Sequence, residues 1–160
     1  TGVRLTVSRF KRVSSGAIPP AKLCGVYVNS VMAKLESRRR GYDEALFVDG
    51  EGMVCECTGE NVFAVFGDQV VAVEHADALD GITRDSVIEL AGASERPMSL
   101  AELLTADEVF LTGTSAEVAA VSEIDGRIFG PGRGTQRLQD LYQDVVHGRS
   151  PAHARWLSCA

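Results

Sequence analysis

Lys22 is the residue of this sequence whose position best suits covalent chemistry. It follows a Pro-Pro pair, has apolar neighbours, and lies near the predicted start of a helix. Loss of hydration and the positive end of a helix dipole both lower the pKa of a lysine amine. An amine that forms a Schiff base requires such a lowered pKa. The alternative for a lysine near a helix start is an ordinary solvent-exposed side chain.

Glu56 is the second candidate, because it lies on a predicted strand of apolar and small residues. A carboxylate that is buried without a partner is costly, so a half-buried Glu56 needs one. The alternative is a carboxylate at an edge or in a loop, in contact with water. Cys55 and Cys57 are predicted to face one side of this strand, opposite Glu56.

Two small polar turns, Gly81-Ile82-Thr83 and Gly113-Thr114-Ser115, could bind an anion. Each offers backbone N–H groups and a hydroxyl, and the first turn opens a predicted helix. Unpaired N–H donors and the helix dipole both favour negative charge at such a place. Ordinary capping of the helix by Thr83 explains the first turn equally well.

The strands that would position these residues come mostly as hairpins. After a first strand within residues 2–13, turn signals separate paired apolar runs and predict hairpins over 45–57, 61–73 and 118–129. This order favours an α+β fold with a mixed, largely antiparallel sheet over a doubly wound fold. Residues 1–160 are predicted to form a single domain.

The helices are predicted from apolar spacing and capping signals. Apolar residues recur at helical intervals between residues 21 and 40, and further helices are predicted over 83–90 and 135–147. A capping box, Ser99 to Glu102, precedes a short helix.

Composition excludes several classes of function. The formal net charge of -6 and the pI of about 5.1 give no support to nucleic-acid binding. No apolar stretch reaches the ~20 residues that span a bilayer, and no signal peptide opens the chain. The four cysteines fit neither a disulfide framework nor a zinc site, so we expect a cytoplasmic protein without a bound metal.

Segments carrying these candidate residues occur in an order that matches a known family. They are Ile18-Pro-Pro-Ala-Lys22 with Gly41-Tyr-Asp-Glu-Ala-Leu46, Glu56-Cys-Thr-Gly-Glu-Asn-Val-Phe63, Leu79-Asp-Gly-Ile-Thr-Arg-Asp85, Ala106-Asp-Glu-Val-Phe-Leu-Thr-Gly-Thr-Ser-Ala-Glu-Val118 and Ile124-Asp-Gly126. Together they resemble the branched-chain amino acid aminotransferases, which are class IV, fold-type IV enzymes. The resemblance implies the larger, C-terminal domain of that fold, with a barrel-like sheet and a bound pyridoxal 5′-phosphate (PLP).

The resemblance also implies a role for each candidate residue. Lys22 would form the Schiff base and move the proton between the substrate Cα and the cofactor. Tyr27 would hydrogen-bond the phenolic oxygen of PLP, and Glu56 would pair with its pyridine nitrogen. The remaining roles are ring packing by Leu79, phosphate binding by Ile82, Thr83 and Thr114, and contact with the substrate carboxylate by Thr114 and Ser115.

The activity implied is transamination of L-leucine, L-isoleucine or L-valine with 2-oxoglutarate, in a homodimer that acts on small amino acid and 2-oxo acid substrates. Sister activities in the superfamily are D-amino acid transaminase and aminodeoxychorismate lyase. A non-catalytic fragment and an N-terminal nucleophile at Thr1 are further alternatives.

This chain departs from the family pattern at several points. The family's smaller N-terminal domain is not matched, Val26 stands where the family has Asn, and one residue is missing between Pro20 and Lys22. Residues 91–97 are several residues shorter than in the family, which predicts a trimmed strand.

Overall fold

The computed structural model of the protein describes residues 2–130 and 132–157. Thr1, the alternative N-terminal nucleophile, and Cys159 lie outside the described residues. The strands and helices are β1 Val3–Val7, α1 Tyr27–Arg39, β2 Glu44–Val48, β3 Val54–Cys57, β4 Asn61–Phe66, β5 Gln69–Val73, α2 Ile82–Ala91, β6 Ser94–Arg96, α3 Leu100–Leu103, β7 Glu108–Gly113, β8 Glu117–Ile124, β9 Arg127–Ile128 and α4 Arg133–Val146. Among the described helices, none is long and apolar enough to cross a membrane.

The described strands belong to one mixed, nine-stranded sheet, in the order β3-β2-β1-β8-β7-β4-β5-β6, with β9 paired to β8. β1 runs parallel to both β2 and β8, and β5 runs parallel to β6. The other pairs are antiparallel. β3, at one end of this order, also contacts β4 and β5, so the sheet curves back toward itself. The predicted α+β fold with a barrel-like, largely antiparallel sheet is confirmed.

The three predicted hairpins are present, because their turns have the residues that tight turns require. β2 pairs with β3, β4 with β5, and β8 with β9. In the last turn, Asp125 and Gly126 have positive φ angles of 42° and 88°. Asp and Gly adopt this left-handed region more readily than other residues do, which fits a tight hairpin.

Two helix boundaries differ from their predictions. The first helix does not begin at residue 21, because a 3-10 turn over Cys24–Val26 precedes α1. Thr83 does not cap α2; Gly81 is the N-cap residue, and Thr83 is buried inside the first turn. The predicted cap of α3 is confirmed, since the Ser99 side chain accepts a hydrogen bond from the Glu102 N–H.

The two faces of the sheet are covered differently. The largest cluster of buried side chains fills the inside of the curved sheet and includes Leu46, Val62 and Val109. The outer face is covered by helices in two places. Phe63 of β4 packs in a cluster with residues of α2 and α4, and Phe47 of β2 packs in a cluster with residue 33 of α1.

A bulge in the β2–β3 pair changes the direction of the side chains on β3. Leu46 pairs with Cys57 and Val48 pairs with Val54, so the register shifts by one residue between these pairs. Val54 and Cys57 therefore share the inner cluster, although they are three residues apart, whereas Cys55 joins the outer cluster. The prediction that Cys55 and Cys57 face one side is wrong, because it assumed unbroken alternation.

Phe63 tests how strongly the outer cluster stabilises the fold. Its ring is fully buried and stacks on Phe110, with 4.8 Å between the ring centroids. We expect Phe63→Ala to lower the free energy of unfolding by about 3–5 kcal/mol, through lost burial and a cavity. Phe66→Ala, a change on the same strand at a half-buried position, should cost roughly 1 kcal/mol. Equal losses in urea unfolding would contradict this placement of the core.

Candidate functional site

One cavity of about 190 Å³ brings together residues from four separate parts of the chain. The loop before α1, the end of β3, the turn before α2 and the end of β7 form its walls. Its lining includes all seven residues predicted to bind a cofactor, namely Lys22, Tyr27, Glu56, Leu79, Ile82, Thr83 and Thr114. Ser115, predicted to contact the substrate, is exposed in the turn after β7 and does not line the cavity.

Lys22 lines the cavity from the loop that precedes the 3-10 turn. Its side chain is exposed, so the dehydration predicted from its apolar neighbours is not observed. The other two lysines of the sequence are engaged elsewhere. Lys11 Nζ donates to the carbonyls of residues 48 and 49, and Lys34 pairs with Glu44. Within the described residues, Lys22 is therefore the one lysine amine without a protein partner.

Tyr27 is the first residue of α1 and is half-buried against the same cavity. Its position follows from the 3-10 turn, which carries the chain from Lys22 into the helix within five residues. The phenol and the amine thus line one space, as predicted.

Glu56 is buried, with 4% of its surface exposed, so the alternative of an edge carboxylate in water is wrong. Its Oε1 lies 2.6 Å from Arg12 Nε, and its Oε2 accepts a hydrogen bond of 3.0 Å from the Leu79 N–H. Burial raises the pKa of Glu56, and the Leu79 N–H and the Arg12 charge oppose that rise.

The turn from Leu79 to Thr83 is held by two side chains of neighbouring strands. Besides the contact of Leu79 N–H with Glu56, the Leu79 carbonyl accepts a 2.7 Å hydrogen bond from Asn61 Nδ2. Gly81 is extended and caps α2, so the N–H groups of the first helical turn begin at the cavity. These groups have no intrahelical acceptors, and they suit a bound anion.

The second turn follows β7. Thr112 and Gly113, at the end of β7, and Thr114, in the turn, line the cavity. Thr112 Oγ1 is buried and has no hydrogen-bond partner among the described residues. A buried hydroxyl in that state is rare in proteins and is consistent with a polar ligand in the adjacent space.

Glu60 adds a second carboxylate to the wall. Burial and the nearby Glu44 carboxylate raise the pKa of Glu60, while its hydrogen bond from the Gly59 N–H lowers it. Lys34 is committed to Glu44, which also accepts a 2.6 Å hydrogen bond from Thr58. The cavity therefore has two carboxylates with raised pKa values on one side.

Sequence reasoning missed Arg12 and Thr112. Arg12 lies in the loop after β1, 44 positions before Glu56. No local spacing connects these two residues, because the pairing of β1 with β2 and of β2 with β3 brings them together. Thr112 lay in a quoted motif without an assigned role, because the direction of its side chain depends on the register of β7. Asn61 belonged to a quoted motif but had no assigned role.

The arrangement combines an amine, a phenol, a buried carboxylate and two anion-binding turns around one cavity. This donor set fits a planar, phosphorylated ring with a basic nitrogen and an aldehyde, the description of PLP. The unpartnered Thr112 hydroxyl and the N–H groups at the N-terminus of α2 are in the cavity wall, and they are the kind of hydrogen-bond donor that a phosphate requires.

Comparisons with known proteins point to the same chemistry. The sequence profile of the amino-transferase class IV family matches residues 2–124. A probable branched-chain-amino-acid aminotransferase of Aquifex aeolicus is 42% identical over 168 aligned positions, covering 98% of this chain and 54% of the relative.

Solved structures agree with the sequence matches. The branched-chain aminotransferase of the archaeon Thermoproteus uzoniensis, solved with norvaline, superposes with a TM-score of 0.93 at 39% identity, covering 98% of this chain and 55% of that chain. The enzyme of Thermobaculum terrenum in its PLP form has a TM-score of 0.93 at 36% identity, with 99% and 55% covered. The chain thus spans about half the length of the relatives it matches.

Gly81 provides a test of the turn that holds Leu79. A Cβ atom at Gly81 would lie 2.4 Å from Asn61 Oδ1, although the backbone angles suit any residue. We expect Gly81→Ala to lower the free energy of unfolding by about 1–3 kcal/mol, because Asn61 must move. Gly59→Ala is the control: it lies in the same cavity wall with nothing within 4 Å, and should change stability by less than about 0.5 kcal/mol. Equal stability of both variants in urea would contradict the described turn.

Proposed function

Because this chain belongs to the amino-transferase class IV family, we propose that it forms the cofactor-binding part of a branched-chain amino acid aminotransferase. The observation that carries the proposal is the state of the lysines. Lys11 and Lys34 are held by oxygen atoms of the protein, whereas Lys22 lines the cavity with a free amine. A Schiff-base lysine must be available in this way.

The proposed reaction moves an amino group from L-leucine, L-isoleucine or L-valine to 2-oxoglutarate. PLP supplies an electron-accepting ring that stabilises negative charge at the substrate Cα. Lys22 would hold the cofactor at its aldehyde carbon, whose oxygen leaves as water, and as a free amine it would carry a proton between the substrate Cα and the cofactor C4′ atom. A lysine side chain that forms no hydrogen bond or ion pair with other residues is free to move between these two atoms.

The other residues of the cavity would hold the cofactor. Glu56 would hold a proton on the ring nitrogen, and Tyr27 would donate a hydrogen bond to the phenolic oxygen. Leu79 would pack against the ring. We assign the phosphate to Ile82, Thr83 and Thr114, and we assign the substrate carboxylate to the backbone of the turn at Thr114 and Ser115.

We propose further that residues 1–160 act as a single cofactor-binding domain in the cytoplasm. The continuous sheet through β1 to β9 supports one domain. Cys55 and Cys57 are buried as free thiols, and burial raises the pKa of both, which suits a reducing compartment.

We also propose a homodimer, in which a second copy covers the exposed face of α1. Val28, Val31, Met32 and Leu35 repeat at helical spacing, yet they are 45–66% exposed. The buried side of α1 instead consists of residues 30, 33 and 37, which are small. An apolar stripe of this kind on a free surface marks an interaction site.

Labelling with PLP is the test of the proposed function. The purified chain is mixed with PLP, its absorbance is recorded, and borohydride then fixes any lysine adduct for peptide mapping. We expect a new absorbance band and a pyridoxyl group on Lys22, because its amine is the free one. Lys22→Ala should lose both the band and the label.

Lys11 and Lys34 are the internal controls for this experiment. A label spread over all three lysines, or retained in Lys22→Ala, would refute the site. Turnover of leucine with 2-oxoglutarate then tests the substrate class, and turnover of a D-amino acid instead would identify the sister transaminase. A specific adduct without turnover would indicate a non-catalytic fragment.

The dimer is tested by a charge placed in the stripe. We expect Val31→Glu to raise the dissociation constant measured by sedimentation about tenfold or more, since a carboxylate would be buried against the second copy. Ile128→Glu, a change at a similarly exposed apolar residue on β9, should leave the association unchanged. A wild-type chain that sediments as a monomer at all concentrations would rule out the dimer.

A further inference from the structure

Arg12 is the one cation in direct contact with Glu56 in the described structure. Its side chain is 11% exposed, although it lies in the loop after β1. Nε is 2.6 Å from Glu56 Oε1, Nη1 donates a 3.1 Å hydrogen bond to Ser30 Oγ, and the guanidinium lies 5.7 Å from the centre of the Phe47 ring. Arg12 therefore joins β3, α1 and β2 at the wall of the cavity.

The chemistry of the two partners is unequal. An arginine keeps its charge at any pH at which the protein is folded, and its planar group has a fixed direction. A buried glutamate can give up its charge by taking a proton. The Arg12 charge therefore decides which form of Glu56 is stable inside the protein.

We propose that Arg12 is a positioning residue that keeps Glu56 ionised and directed into the cavity. The effect of this ion pair on the protonation of a bound ring nitrogen rests on the proposed function. The effect of Arg12 on the charge of Glu56 does not.

The groups that face Glu56 determine the pH at which the effect shows. Arg12 favours the ionised form and Glu60 opposes it. Three further titratable groups line the same cavity, namely Lys22, Tyr27 and Asp80. Removing the charge of Arg12 would therefore leave the opposing negative charge of Glu60 in place and make Glu56 a stronger base.

The expected pH dependence follows from the raised pKa of Glu56, which burial causes. A group with a raised pKa stabilises the fold fully below its unfolded pKa, about 4.3 for a glutamate, and that contribution is lost as the pH rises through the folded pKa. Without Arg12 the folded pKa rises further. The decrease in the free energy of unfolding caused by Arg12→Gln should therefore be small at about pH 4.5 and larger at about pH 7.5.

The first experiment is a double-mutant cycle on the cofactor-free chain. Unfolding by urea is measured for wild type, Arg12→Gln, Glu56→Gln and the double variant at both pH values. At the higher pH we expect the two single changes to be coupled by about tenfold or more in the unfolding equilibrium constant, and at the lower pH to be nearly independent. Arg12→Lys should lose less stability than Arg12→Gln at the higher pH, because it keeps the positive charge.

Arg9→Gln is the matched control. Arg9 lies three residues earlier in the same loop and pairs with Glu36, but its side chain is 73% exposed. It should show neither a large loss nor a dependence on Glu56. A loss in Arg12→Gln that is equal at both pH values and unchanged by Glu56→Gln would overturn the proposal. If Arg12→Gln does not fold, the free energies of unfolding of Arg12→Lys and of the double variant are compared with that of the wild type at the same two pH values.

The second experiment uses the chain with PLP attached to Lys22 and follows the pH midpoint of its absorbance change. Removing a positive charge near the ring should raise this midpoint by about one pH unit in Arg12→Gln, and Arg12→Lys should return it toward the wild-type value. A purely structural role would leave the midpoint unchanged, and an unchanged midpoint would overturn the proposal. If the wild-type chain takes up no PLP, the proposed function fails, whereas the unfolding cycle still decides what Arg12 does.

Discussion

The buried carboxylate of Glu56 is the constraint on which the cavity depends. A charged group inside a protein is tolerated only with partners, and the two oxygens of Glu56 have one each, Arg12 and the Leu79 N–H. Those partners come from loops about 44 residues earlier and 23 residues later in the chain. Both loops are therefore drawn to one strand, and the walls of the cavity follow from that attraction. The bulge in β3 is part of the same arrangement, because it allows Cys57 to face the inner core while Glu56 faces the loops.

The distribution of cations around the cavity explains why one amine remains available. Arg12 is committed to Glu56, Lys34 to Glu44, and Lys11 to backbone carbonyls. Arg12 and Lys34 each pair with a buried carboxylate, so those two carboxylates do not require Lys22 as a partner. A free lysine in a wall that also holds Glu60 would be expected to form an ion pair, so the absence of a partner for Lys22 in the described structure is notable. The fold thus satisfies its buried carboxylates with other cations and leaves Lys22 for a ligand.

Sequence reasoning succeeded where structure is determined locally. The Asp125-Gly126 turn and the N-cap of α3 at Ser99 depend on neighbouring residues, and both formed as predicted, although the Glu102 side chain pairs with Arg96. Seven of the eight candidate residues also line one cavity, and the motifs that carry them are contiguous segments of the sequence. The failures have a different cause. The orientation of Cys55 depends on a bulge, and the partner of Glu56 depends on the order in which β1, β2 and β3 pair. Neither leaves a signal within a few residues of the position it affects.

Leu79 shows how such a site can keep its dimensions. Its N–H is bound by Glu56 and its carbonyl by Asn61, so both sides of one residue are fixed to the sheet. The helix N-terminus that begins three residues later is consequently fixed relative to the carboxylate. A planar ring with a basic nitrogen at one end and a phosphate at the other has a fixed length. A protein that binds such a ring must hold the carboxylate and the anion-binding turn at a matching separation. Hydrogen bonds among Glu56, Leu79 and Asn61 fix this separation. The turn needs Gly81 for the same reason, because a side chain at that position would displace Asn61.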